Sequence, residues 1–356
     1  MRDKLRVGVV GCGIGKTHVH GFRQYPDRFE VLAMCDINAD RAKPFVEQAG
    51  IPRFTTRYDE LLRMDDIDVI DLCTPTFLHH DQTLAALAAH KYVILEKPAA
   101  GSLKDVDHLI AVELQSDRRI MPIFQYRFGA GAQRLRHLVD TGIAGRAYLG
   151  TAETAWRRRM NYYSDGWHGK WQTELGGVLV TLAVHAHDVV NYILGPARSV
   201  FARTATLVNP IETEDTISAS LLMADGSLCS LSATTGSSEQ ITRHRFCFSN
   251  LVAESNREAY RNTTDPWTFV GDTPELNEQI QQALAAFTPR PEGFAGMFLG
   301  FSQALETGGA FPVTLQDARR SLELITAIYD SARRNQPVDL PIGSDHPLYA
   351  GWQPKT

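Results

Sequence analysis

The first 36 residues hold the pattern that most restricts the fold. Residues 7–10 form a short apolar run of the kind buried in a central parallel strand. The run enters Gly11-Cys12-Gly13-Ile14-Gly15-Lys16, and residues 17–25 can continue as a helix. A second apolar run, 31–35, stops at Asp36. Strand, glycine turn, helix, strand and terminal acid, in that order, predict a βαβ unit shaped for a dinucleotide. Glycines there let the main chain close on a pyrophosphate, and the helix start turns unpaired N–H groups toward it. Asp36 is placed to accept hydrogen bonds from the adenosine ribose hydroxyls. Gly11, Gly13, Ile14, Gly15 and Asp36 are therefore the expected cofactor contacts.

Two details bear on that reading. The usual third glycine would stand at position 16, where this chain has Lys16, and Gly15 comes one residue early. Either the helix–strand contact differs or Gly15 supplies the room; Lys16 reaches a phosphate or is solvated. Ile37 and Asn38 follow Asp36, with no arginine directly beside it. A 2′-phosphate would meet an anion there, so NAD is favoured over NADP, with Lys16 and Arg41 the residues that could intervene.

At 356 residues the chain suits two domains. Hydrophobic content of 44% with 22% charged residues describes a globular protein, and a net charge of −5 gives no reason to expect nucleic acid. Five cysteines without paired spacing suggest buried thiols at Cys12, Cys35 and Cys73, not a disulfide framework. Met1-Arg2-Asp3-Lys4 leads straight into the first strand, leaving no room for a signal peptide. No apolar run approaches the roughly 20 residues that span a bilayer; the longest candidate, 176–194, carries two histidines and an aspartate. The expectation is a cytoplasmic protein with no membrane partner.

Strand–helix alternation continues to residue 124: helix 39–49, strand 54–56, strand 68–73 ending at Thr74-Pro75, helix 80–90, strand 92–95 closing in Glu96-Lys97-Pro98, a helix capped by Ser102 or Asp105, and strand 120–124. This predicts an α/β Rossmann domain, a doubly wound parallel sheet of about six strands, over residues 1–124. From 125 the pattern changes. Helix 132–140, strands 213–223 and 228–235 around Ala224-Asp225-Gly226-Ser227, strand 244–254, and helices 274–287, 294–306 and 315–334 predict an α+β domain with a mostly antiparallel open sheet over 125–356.

Three places could carry chemistry. Lys97, pinned by Pro98 at the end of a strand, could stabilise a developing oxyanion; equally it could be a surface lysine paired with Glu96. In Gly176-Gly177-Val178-Leu179-Val180-Thr181-Leu182-Ala183-Val184-His185-Ala186-His187-Asp188, one helix would align Thr181, His185 and Asp188 on a single face. His185 suits proton removal from an alcohol, with Asp188 orienting it or binding a hydroxyl; a structural histidine is the alternative. A metal site is not expected, because a helix sends His185 and His187 to different faces. The third place is the stretch from Trp156 to Trp171, with Trp156, Arg158, Tyr163, Trp167 and Trp171, which reads as a sugar-binding wall or as an inter-subunit contact. Tyr126, just past the last strand of the first domain, joins the substrate-binding candidates.

Taken together, the Gly11 to His18 opening, Thr74-Pro75 followed by His79, Glu96-Lys97-Pro98, and Gly176-Gly177 leading to His185 and Asp188 resemble the Gfo/Idh/MocA oxidoreductases. The similarity continues to Pro337-Val338-Asp339-Leu340-Pro341. The resemblance implies NAD(P)-dependent redox chemistry on a ring hydroxyl of a sugar, sugar derivative or cyclitol, with Lys97 and His185 catalytic. It adds Thr74, Pro75, His79, Glu96 and Lys97 to the cofactor site, and it implies a homodimer or homotetramer. Many members place an aspartate where this chain has Thr181, so an Asp–His dyad is unavailable. Two alternatives stay open: a glycoside-cleaving enzyme that uses NAD transiently, and a non-catalytic sensor of sugar or dinucleotide.

Overall fold

The computed structural model describes residues 4–354, and of Asp165 the main chain only. Met1 to Asp3, on which the signal-peptide expectation partly rests, lie outside the described residues. Two compact units form: residues up to Ile123 together with Phe294–Arg319, and Phe124–Gly293 together with the chain from Arg320 onward.

In the first unit, β1 (Leu5–Val10), β2 (Phe29–Cys35), β3 (Arg53–Thr55), β4 (Val69–Leu72), β5 (Tyr92–Leu95) and β6 (Ile120–Pro122) make one parallel sheet in the order β3-β2-β1-β4-β5-β6. The chain steps outward from β1 to β3, returns to β4 on the other side and steps outward again. Residues after the carboxyl ends of β1 and β4 therefore face the crevice where such sheets bind ligands. The crossovers are α1 (Gly15–Phe22), α2 (Ala39–Gln48), α3 (Tyr58–Leu62), α4 (Thr76–Ala88) and α5 (Leu103–Glu113), the last capped by Ser102, whose hydroxyl accepts the Asp105 N–H. β4 is buried throughout, which suits its apolar residues but encloses Asp71 as well.

The second unit starts with α6 (Ala130–Asp140) and β7 (Ala147–Arg157), followed by α7 (Trp171–Glu174), α8 (Val178–Thr181) and α9 (Val184–Leu194). Next come β8 (Ala197–Ala205), β9 (Thr216–Met223), β10 (Leu228–Thr234), β11 (Gly236–Phe248), β12 (Leu251–Glu254), β13 (Thr268–Gly271), α10 (Pro274–Ala286), α11 (Gly293–Thr307), α12 (Leu315–Arg334) and β14 (Val338–Asp339). The sheet order is β13-β12-β11-β7-β10-β9-β8-β14, antiparallel except where β7 meets β10. Burial alternates along β7, β9 and β10, so one face is packed, with α9 against β7, and the other is open.

Three expectations need correction. Residues 244–254 are parts of two strands, because Ser249 and Asn250 turn the chain and pair β11 with β12. The 294–306 helix belongs to the first unit, not to the domain assigned to 125–356. Phe298 stacks on Phe22 at 3.9 Å between ring centroids, and a Cβ at Gly21 would come within 2.9 Å of Phe298. The helix holding Thr181 and His185 is not continuous. It breaks between α8 and α9, where the Ala183 N–H turns back to the Val178 carbonyl, so the single face aligning Thr181 with His185 does not exist.

Among the described residues no single helix is long and apolar enough to cross a membrane. The stretch Trp171–Thr181 with Val184–Leu194 passes that test only as a pair bent by 49°, and nine of the eleven α9 residues are buried, as a core helix requires.

Candidate functional site

At the end of β1 the main chain is bare where a dinucleotide would need it to be. Gly11 has φ +99°, and a Cβ there would lie 2.4 Å from the Cys73 carbonyl oxygen. Gly13 has nothing within 4 Å of its would-be Cβ, which leaves open space for a diphosphate. Gly15 supplies the close helix–strand contact, since a Cβ there would meet Val9 at 2.9 Å. The early glycine thus does the work of the missing one at Lys16. No side chain caps the start of α1 at Ile14, leaving its first N–H groups available to an anion. Lys16 stands with Nζ 5.4 Å from the Phe45 ring centre.

Asp36 is 4% exposed. Its Oδ2 accepts the Cys12 N–H at 2.6 Å and its Oδ1 the Asn38 N–H at 2.8 Å. Burial alone would raise its pKa, but these amides and Arg41 outweigh it and hold the carboxyl below its ordinary value. Arg41 reaches back across the first turn of α2 to Oδ2 at 2.6 Å. Of the two cations that could intervene at Asp36, it is therefore Arg41 that stands beside it.

Farther along the same sheet edge, His79 bridges the ends of β4 and β5. Its Nε2 lies 2.7 Å from the Thr74 carbonyl oxygen and its Nδ1 2.7 Å from that of Pro98. Burial pushes the imidazole pKa down despite those carbonyls, and a neutral ring donates to one of them at a time. The Thr74 hydroxyl donates to Gln82 Oε1 at 2.6 Å, and Pro75 precedes α4. Glu96 Oε2 accepts the Lys97 N–H at 2.9 Å.

In the second unit, His185 opens α9, 7% exposed, with its ring stacked on Tyr126 at 4.8 Å. Asp188 is fully buried and grips Arg127 with both oxygens, at 2.8 Å from Nε and 2.6 Å from Nη2. Thr181 donates its hydroxyl to the Gly177 carbonyl at 2.9 Å. The start of α8 is held by Glu214, whose carboxylate accepts the Gly177 and Leu179 N–H groups and the Tyr329 hydroxyl. His187 is buried, and burial with the neighbouring His244 takes its pKa down to about 3, so it is a neutral core residue.

The aromatic stretch divides. Trp156 is buried, donating its indole N–H to Thr242 and packing on Tyr260, and the Trp171 indole donates to the Glu212 carbonyl. The Arg158 guanidinium lies between the Trp156 and Tyr162 rings, at 4.9 and 5.1 Å, and binds Gln240 and Tyr260. Tyr163 is half-buried, and Trp167 is 38% exposed with its ring against His168.

Sequence reasoning missed Arg127, which no spacing marks. It also missed the partners of His18, although an acid inside the buried run Val69-Ile70-Asp71-Leu72 demands one.

Residues 5–124 match the Gfo/Idh/MocA oxidoreductase family's NAD-binding Rossmann fold, and residues 132–249 match that family's C-terminal domain. The chain belongs to the Gfo/Idh/MocA oxidoreductases. It is an NAD-binding enzyme of that family. It is 24% identical to the uncharacterised oxidoreductase YrbE of Bacillus subtilis over 96% of this chain and 98% of that one. The myo-inositol 2-dehydrogenase of Thermotoga maritima is 26% identical over 58% of this chain and 60% of its own length. The solved structure of the WlbA dehydrogenase of Bordetella pertussis, in complex with NADH and UDP-GlcNAcA, superposes with a TM-score of 0.84 at 28% identity. That likeness covers 96% of this chain and 100% of WlbA.

If Asp36 holds the ribose, Asp36→Ala is expected to raise the KM for NAD about 10- to 100-fold, the value of one or two charge-assisted hydrogen bonds, with the substrate KM little changed. Initial rates at varied NAD check this; an unaltered cofactor constant removes Asp36 from the site.

Proposed function

We propose that this enzyme oxidises a secondary hydroxyl on the ring of a sugar, sugar derivative or cyclitol, with Lys97 and His185 as its catalytic residues. His185 takes the hydroxyl proton. The Lys97 ammonium hydrogen-bonds the same oxygen and stabilises the negative charge that grows there as the carbon gives up hydride. NAD, when bound, supplies the hydride-accepting carbon. The observation that carries the reading is the setting of Lys97: it leaves the end of β5, on the sheet edge that presents Gly13 and Asp36, with its amide fixed by Glu96. Thr181 donates to the Gly177 carbonyl and Asp188 grips Arg127, and the reading assigns the base to His185.

For the cofactor we assign Gly11, Gly13, Ile14, Gly15 and Asp36 to direct contact, with Thr74, Pro75, His79 and Glu96 shaping the loops around it. For the substrate we favour Tyr126, Arg158, Tyr163 and Trp167 over Trp156 and Trp171, whose indole N–H groups serve internal packing.

The test is a panel of cyclitols, free sugars, sugar acids, glycosides and nucleotide-sugar acids, each with NAD and with NADP. Absorbance follows the reduced cofactor and mass spectrometry the product. Loss of two hydrogens with accumulating NADH is expected. A glycoside cleaved without net NADH would replace this reading with transient redox, and dinucleotide binding without turnover across the panel would favour a sensor.

We propose that a second copy of the chain covers the open face of the second sheet. Cross-strand register sets Val270, Val252, Cys247, Leu149, Leu228 and Leu222 in one row across six strands. Val270, Leu149 and Leu228 are 58%, 42% and 54% exposed. A continuous apolar row on an exposed sheet is the mark of an interface. Leu228→Glu is expected to convert a dimer or tetramer to a smaller species in light scattering; an unchanged mass would place the interface elsewhere.

A further inference from the structure

We propose that His18 is a positioning residue for Lys97: the buried bridge Asp71–His18–Glu96 holds the Glu96 carboxylate where it accepts the Lys97 amide. The proposal rests on the reading of Lys97 as catalytic, but its geometry lies wholly within the first unit.

His18 is on the inward face of α1 and fully buried, as is Asp71 on β4. Ring Nδ1 lies 3.0 Å from each Asp71 oxygen, and ring Nε2 lies 3.1 Å from Glu96 Oε1. The other Glu96 oxygen takes the Lys97 N–H. Cys73 Sγ lies 3.3 Å from Nδ1 and 3.6 Å from Asp71 Oδ2, and the rings of Phe294 and Phe298, on α11, close the remaining sides. Among the described residues, Asp71, Glu96 and Cys73 are the charged and titratable groups packed around the imidazole.

A neutral imidazole carries one N–H, so one of its nitrogens would turn a lone pair toward a carboxylate oxygen about 3 Å away. The charged ring donates to both. Burial alone would lower the His18 pKa, but the Asp71 carboxylate, through charge and hydrogen bonding, outweighs it and holds it well above 6.5. The Cys73 thiol, pushed up mainly by burial, stays neutral. His18 is therefore an imidazolium clamped between two anions, and it ties the cofactor-binding helix to the turn that carries Lys97.

The two amide side chains separate this bridge from mere packing. Asn in place of His18 puts its Nδ2 near the position of Nδ1 and reaches Asp71 only; Gln puts its Nε2 near the ring Nε2 and reaches toward Glu96. Hydrogen–deuterium exchange at the Lys97 amide in the full chain needs no substrate. We expect His18→Asn to speed that exchange about 10- to 100-fold, the value of a hydrogen bond to a charged acceptor, and His18→Gln to restore most of the protection. Glu96→Gln, which leaves His18 in place, should also speed it. NADH binding followed by fluorescence reports that α1 is still folded.

On the substrate found by the panel, kcat should fall in His18→Asn and partly recover in His18→Gln, with KM for NAD steady. Wild-type exchange rates in His18→Asn would overturn the proposal. Equal acceleration in both variants would also overturn it, since packing alone then explains the effect. If exchange follows the bridge while both His18→Asn and Lys97→Ala keep turnover, the bridge stands and the catalytic reading of Lys97 falls.

Discussion

Changing His185 to alanine is expected to lower kcat by about 10²- to 10⁴-fold, the usual contribution of a positioned general base, while NADH binding stays intact. Removing the ring leaves water as proton acceptor and opens space beside Tyr126, with which it now stacks. Lys97→Met removes the charge opposite the forming alkoxide and should cost about 10²- to 10³-fold in kcat. Because both side chains would act on one hydroxyl in one step, the double variant should lose far less than the product of the two. Turnover within a few-fold of wild type for His185→Ala removes that residue from proton transfer. Fully multiplicative losses would mean that the two act in separate steps.

The second large effect is on stability. Asp188→Ala should destabilise the second unit by about 3–5 kcal/mol, because Arg127 stays in the interior after losing the carboxylate that balances it. A volume-matched apolar pair, Arg127→Met with Asp188→Leu, should recover much of that loss, since burying both charges was itself costly. Urea unfolding of the three proteins measures the difference. A loss below about 1 kcal/mol in Asp188→Ala would be the range of an exposed ion pair and would contradict the burial seen here. Asp188 is one turn along α9 from His185, so loosening the pair should also disturb the proposed base; activity measured well below the unfolding midpoint separates the two effects.

The cofactor half of the molecule was largely readable from the chain. Apolar runs of strand length, glycines at their ends and an acid after the second run are local signals, and the sheet's parallel order follows from the helical crossovers between them. Even the displaced glycine left a legible choice, and Val9 decides it for Gly15. The second unit was readable only in outline. Alternation and turn residues mark β9, β10 and the 224–227 hairpin, but the expected helix through Thr181 and His185 breaks at Leu182 and Ala183. Leu182 and Ala183 carry no breaker that a sequence reader could use.

What the amino-acid sequence determined by itself is everything that depends on neighbours along the chain. That covers the nucleotide turn, the Glu96-Lys97-Pro98 strand end, the placement of His185 among apolar residues and the family these motifs define. Tertiary structure alone decided which charges meet. Arg41 closes on Asp36, Arg127 takes Asp188, and His18 finds Asp71 and Glu96 from positions 53 and 78 residues away. The reason is physical. A hydrophobic period repeats within one element and survives in one dimension. A buried ion pair is chosen by whichever opposite charge packing brings within about 3 Å, and nothing along the chain records that distance.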